Sequence, residues 1–207
     1  MQSVNLAAFD EAEVHHEPYD FLLGSNAIKP EMIDELRESF PQISKPGYLT
    51  VNDVDMKGRF KSFIDELEGP EVTEALSKRF GIDLHPYPRI TTIMKQSQAK
   101  YGAIHTDGPS KVMTMLVYMN DDWEVSESGR LRVLHSKEAF EPYAMEVPPT
   151  MGTVFAFLRA DNSWHGHKPF VGERRVVQIA WLKSKEDLER KTKRNKFAQV
   201  LKGVFGR

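Results

Sequence analysis

The sequence predicts a mainly β fold, a sandwich or jelly roll, with a helical layer before it and a helix after it. Three observations carry this. From Ile90 onward, short β-branched or aromatic runs are separated by Gly, Pro, Asn and Asp. No helical pattern interrupts those runs, which argues against a parallel βαβ sheet. Before Ile90, apolar residues recur at helical spacing instead.

The elements follow in chain order. "SNAIKPEMIDELRESFP" predicts a helix with Pro30 in its first turn and Met32, Ile33, Leu36 and Phe40 on one face. "RFKSFIDELEG" predicts a second. "PEVTEALSKRFG" predicts a third, opened by Pro70, striped by Val72, Leu76 and Phe80, and stopped at Gly81. "HPYPR" breaks the helical pattern. Strands are then expected at "RITTIMKQ", "KVMTMLVYMN", "GRLRVLH", "YAMEVPP", "GTVFAFL" and "RRVVQIAWL". The tail returns to helix over residues 186–204, with Phe197, Val200, Leu201 and Val204 as its stripe. With no repeat, low-complexity tract or linker, one domain is expected. Its helical layer covers about 1–88, its β core about 89–183 and its C-terminal helix about 184–207.

Composition bounds the function. The chain has 207 residues and no cysteine, which excludes disulfides, thiolate metal sites and a cysteine nucleophile. No run approaches the roughly 18 apolar residues of a membrane span. The acidic start "MQSVNLAAFDEAEVHHEPYD" lacks a basic-then-apolar signal pattern, so a cytoplasmic location is expected. Residues 183–207 carry nine Lys/Arg against three Asp/Glu, a local +6 within a net charge of −2. Such a tail leaves room for nucleic acid, although its apolar stripe argues for packing on the domain. The oligomeric state is not legible.

The chemistry starts at "HTD". His105 and Asp107 are two residues apart ahead of a strand, and on a strand i and i+2 point to one face. A third ligand would complete a metal site. His15 and His16 lie in a polar segment, and His85 and His135 read as structural. "DNSWHGHKPFVGERRVVQIAW" remains, with His165 and His167 as candidates. Two His and one carboxylate form a facial triad that leaves positions open, which suits Fe(II), with zinc as the chemical rival. A dicarboxylate cosubstrate chelating the metal would need a fixed cation at its far end. An arginine fork is best suited, and Arg174 and Arg175 both follow.

These motifs resemble the Fe(II)- and 2-oxoglutarate-dependent dioxygenases, nearest the prolyl and lysyl hydroxylase branch, over roughly Ile90 to Leu182. "HTD" matches the family's His-x-Asp, "VMTMLVYMN" its next strand, and "DDWEVSESGRLRVL" its acidic-Trp turn and Gly-x-Leu strand. His165, Pro169, Arg175 and Trp181 fit the spacing of the distal half. The resemblance implies a double-stranded β-helix (a cupin-like jelly roll) whose His105, Asp107 and His165 hold Fe(II). It also implies that Arg175, helped by Tyr118, fixes the far carboxylate of 2-oxoglutarate, with Arg174 as the competitor. The implied activity hydroxylates a small-molecule or peptidyl substrate with dioxygen, releasing succinate and carbon dioxide. The rival readings are a non-catalytic jelly-roll metal-binding or interaction protein and a zinc-dependent hydrolase.

Overall fold

A computed structural model of the chain describes residues 1–123 and 127–194. Its elements are α1 (Ala7–Glu11), β1 (Glu13–His15), β2 (Phe21–Gly24), α2 (Ile33–Ser39), β3 (Leu49–Thr50), α3 (Gly58–Leu67) and α4 (Pro70–Phe80). The β core follows with β4 (Arg89–Ser97), β5 (Lys111–Tyr118), β6 (Leu131–Leu134), β7 (Tyr143–Val147), β8 (Val154–Leu158), β9 (His165–Gly166) and β10 (Gly172–Leu182). A final helix starts at residue 185 and is described to 194. Ser184 caps it, its Oγ accepting the Asp187 N–H at 3.1 Å. The expected stripe Phe197, Val200, Leu201 and Val204 lies outside the described residues. Among those described, no helix is long and apolar enough to cross a membrane.

The strands form a jelly roll of two antiparallel sheets. The larger has the order β1-β2-β8-β5-β10-β4-β3 and the smaller β7-β6-β9. Strand alternation divides the apolar residues into two cores. On β5 and β10, Met113, Met115, Val117, Val177, Ile179 and Trp181 face the helices. Leu116, Tyr118 and Val176 face inward, where they meet Leu131, Val133 and Val147 of the smaller sheet. The helix side is closed by Phe60, Phe63, Ile64 and Leu67 of α3, spaced i, i+3, i+4, i+7, and by Val72 and Leu76 of α4. Gly81 ends α4 in the left-handed region at φ 65°, its N–H returning to the Ser77 carbonyl.

The six core strands and α3 and α4 appear where expected. Two differences stand out in the first 88 residues. The segment is not purely helical, because β1 and β2 extend the large sheet beyond β8, and β3 pairs with β4. The helix expected over residues 25–41 is shorter, a 3-10 turn at Pro30–Met32 leading into α2. Pro41 forces the preceding Phe40 to an extended ψ of 129°, and the helix stops there.

Phe60 is fully buried, and its ring centroid lies 4.9 Å from that of Phe40, joining α3 to the end of α2. Phe60→Ala should lower the unfolding free energy by about 3–5 kcal/mol, read from the urea midpoint at unchanged slope. A loss within the error of the midpoint would contradict this account of the helix-side core.

Candidate active site

Two backbone hydrogen bonds create the site. His105 N–H donates to the His165 carbonyl at 3.0 Å, and His165 N–H donates back to His105 at 3.0 Å. Directly opposed residues of an antiparallel pair project side chains to the same face. The two imidazole centroids consequently lie 4.4 Å apart. Asp107, two residues on, shares that face. One ligand-type atom from each of His105, Asp107 and His165 falls within 4.8 Å of the other two. Asp107 and His165 are buried while His105 is exposed, so the cluster opens to one side.

The donor set suits a divalent metal. Nδ1 of His105 lies 2.8 Å from the Ala103 carbonyl, and Nδ1 of His165 lies 2.9 Å from that of Ser163. A carbonyl can only accept, so each Nδ1 carries the proton and each Nε2 presents a lone pair. Burial lowers the His165 imidazole to about 4, with Asp107 pulling the other way, so no proton has to leave at neutral pH. Burial pushes the Asp107 carboxyl up. The Lys111 ammonium, His165 and two hydrogen bonds outweigh it and hold the carboxyl well below the ordinary range. Those bonds come from Lys111 Nζ to Oδ1 and from Thr114 Oγ1 to Oδ2, each at 2.6 Å.

Arg174 stands in the same cavity and is buried. Its Nε donates to the Gly129 carbonyl at 2.9 Å and its Nη2 to the Tyr118 hydroxyl at 3.0 Å. The Tyr48 hydroxyl also hydrogen-bonds its side chain. Burial raises both phenols, Tyr118 to about 12, so each remains an O–H donor. Two hydroxyls and the Gly129 carbonyl hydrogen-bond this guanidinium, and among the described residues no carboxylate forms an ion pair with it. An unpaired buried cation is costly, and an incoming carboxylate would offset that cost.

Arg175 is placed elsewhere, contrary to the expectation that it lines the site. It pairs with Glu173 and lies over the Phe40 ring at 5.2 Å, on the outer, helix-packed side. It does share a face with Val177, Ile179 and Trp181, but that face packs on helices. The inward position belongs to Arg174. Tyr118 sits behind Arg174 and touches the cavity through it. His167 also lines the cavity, outside the three-residue cluster, with its Nδ1 donating to the Lys168 carbonyl at 2.9 Å. Gly102 makes room for it, since a Cβ there would meet the His167 ring at 2.3 Å. The sequence reading missed Tyr48, Thr114 and Lys111. Thr114 was findable, being in phase with Leu116 and Tyr118 on β5, whereas Tyr48 comes from a loop with no periodic signal.

Residues 92–183, from within β4 to beyond β10, match the model of the 2OG-Fe(II) oxygenase superfamily. Over those residues, which hold the His–Asp–His cluster and Arg174, the chain is similar to that superfamily. That superfamily's metal and cosubstrate are Fe(II) and 2-oxoglutarate, and the His–Asp–His donor set described above suits such a metal. Solved structures share its fold at low identity. A prolyl-4-hydroxylase from Pseudomonas putida superposes with a TM-score of 0.55 at 14% identity, covering 88% of this chain and 94% of that one. A viral collagen prolyl hydroxylase from Paramecium Bursaria Chlorella virus-1, solved as a 2OG complex, gives 0.51 at 16% identity, covering 79% and 96%. No curated protein matches this chain in sequence.

The buried histidines set a pH dependence for the metal-free chain. Burial lowers both His165 and His167 from the ordinary 6.5 to about 4, Arg174 adding to the effect at His167. Between those values the unfolded chain binds more protons, so stability falls as pH drops from 6.5 towards 4. The loss should reach about 2 kcal/mol per histidine by pH 5, read by urea unfolding in EDTA at pH 7.5, 6 and 5. A flat profile across that window would refute the buried, neutral state of both rings.

Proposed function

We propose that this chain is a hydroxylase in which His105, Asp107 and His165 hold Fe(II) and Arg174, with Tyr48 and Tyr118, holds the far carboxylate of 2-oxoglutarate. Fe(II), 2-oxoglutarate and dioxygen together supply the oxidising power, with succinate and carbon dioxide as co-products. The observation that carries the reading is the buried, carboxylate-free Arg174 in the cavity that also holds the His–Asp–His cluster.

The protein's part is positioning. The backbone bridge between residues 105 and 165 sets the angle of the two imidazoles. Carbonyls behind each Nδ1 fix the tautomer that can ligate. The Arg174 fork and the Tyr48 O–H give a carboxylate both charge and direction, and Tyr118 orients the guanidinium from behind. Apolar Leu116, Leu131 and Phe157 line the cavity and keep water from the reacting centre. The substrate, a small molecule or a peptidyl group, approaches from the exposed His105 side. The similarity to prolyl hydroxylases makes peptidyl proline the first substrate to screen. A zinc hydrolase or a non-catalytic metal-binding protein has no use for a buried guanidinium lacking a counter-ion.

The deciding measurements are Mn(II) and 2-oxoglutarate titrations by calorimetry, with carbon dioxide release from labelled 2-oxoglutarate by the Fe(II)-loaded protein. His165→Ala should abolish Mn(II) binding and His167→Ala should retain it. Arg174→Gln should weaken 2-oxoglutarate binding on the order of a hundredfold, while Arg175→Gln leaves it within about twofold. An Arg174→Gln protein that binds 2-oxoglutarate normally would overturn the cosubstrate assignment. A metal-loaded wild type without 2-oxoglutarate affinity would favour the non-catalytic reading.

A further inference from the structure

The Asp107 carboxylate is fully engaged without any metal. Lys111 Nζ holds Oδ1 and Thr114 Oγ1 holds Oδ2, each at 2.6 Å. The Lys111–Asp107 ion pair is closed off from water, with both side chains 9% exposed. Such a pair is not a surface ornament, since removing either partner strands a buried charge. Lys111 is also the first residue of β5, where strand pairing fixes its backbone opposite Leu182. The sheet thus fixes the root of the side chain, and burial and the 2.6 Å contact keep its ammonium on the carboxylate.

Its location has an electrostatic consequence. Behind a ligating histidine the partner accepts, as the Ala103 and Ser163 carbonyls do here, and makes the ring a better donor. Behind a carboxylate the partner must donate, and Thr114 does so as a neutral hydroxyl. An ammonium goes further. It draws electron density from the ligating carboxylate, competes for one of its oxygens and repels a divalent cation. Lys191, half-buried on the helix over residues 185–194, adds positive charge to the same locality, acting on both Lys111 and Asp107.

We propose that Lys111 is a positioning residue that stands in for the metal's charge. It holds Asp107 in ligating position in the metal-free protein and limits how tightly the divalent cation is bound. The inference rests on Asp107 being a metal ligand. It makes the site preformed yet exchangeable: the carboxylate is not turned away before metal arrives, and the hold on the metal remains moderate.

Two properties of the full chain test this, the Mn(II) dissociation constant and the melting temperature with EDTA or saturating Mn(II). Lys111→Met keeps the length of the side chain and removes its charge. It should melt lower than wild type in EDTA, bind Mn(II) on the order of tenfold more tightly, and show a larger Mn(II)-induced rise in melting temperature. Thr114→Val, which removes a neutral donor from the other oxygen, should not tighten Mn(II) binding. If Lys111→Met is recovered only with metal bound, chelator competition gives the answer, and wild type must surrender Mn(II) at the lower EDTA concentration. Equal melting losses in EDTA and Mn(II), weaker Mn(II) binding by Lys111→Met, or equal tightening by Thr114→Val would each overturn the charge role. Asp107→Ala with undiminished Mn(II) affinity would remove Asp107 from the ligand set and sink the underlying assignment as well.

Discussion

The pair of hydrogen bonds between the backbones of residues 105 and 165 is the constraint on which the site depends. The two residues are sixty positions apart in sequence (165 − 105 = 60), and this bridge makes them direct neighbours. Once they are opposed, strand geometry does the rest. Both imidazoles take one face, Asp107 joins them at i+2, and β9 is tied through Val133 into the smaller sheet. The jelly roll is, in this sense, the device that brings the two ends of the His–Asp–His cluster together. Its helical layer acts at a distance, by burying the opposite face of the large sheet and holding β5 and β10 in place.

Parity along β5 and β10 decides which side chains meet the cavity. Even-numbered positions on β5 point inward, giving Thr114 to Asp107 and Tyr118 to Arg174. On β10 the same rule separates two adjacent arginines. Arg174 turns in beside the tyrosines, and Arg175 turns out over Phe40. A one-residue difference in sequence is therefore a difference between the interior and the helix-packed side. Pairing with β4 shifts register between Glu173 and Val176, so the arginines lie beside the irregular part of the strand.

This explains what could be read in the sequence. The metal-ligand candidates were legible because His105 and Asp107 carry a period-two pattern and the distal histidine stands at family spacing. The six core strands were legible from their β-branched runs and turn residues. The choice between Arg174 and Arg175 was not, because alternation groups residues by face without saying which face is the interior. Trp181 pointed to the wrong one, since a large buried aromatic serves a helix-facing core as well as a barrel. Tyr48 was out of reach, because it enters the cavity from a loop nearly sixty residues before His105 and Asp107. Strands β1, β2 and β3 were missed because two to four residues give too short a pattern to count.

Arg174 has a further consequence, for the lifetime of the protein. It is rooted in the large sheet through β10, yet its Nε donates to the Gly129 carbonyl just before β6 of the smaller sheet. One side chain thus both lines the cavity, where the proposed cosubstrate would bind, and ties the two halves of the sandwich. Any molecule that binds the folded state and not the unfolded one suppresses opening by mass action. Here that suppression acts where the sheets would part, so cleavage through local opening should slow as 2-oxoglutarate rises, which limited proteolysis across a cosubstrate series would detect. Cosubstrate abundance would then govern how long the chain persists as well as how fast it turns over.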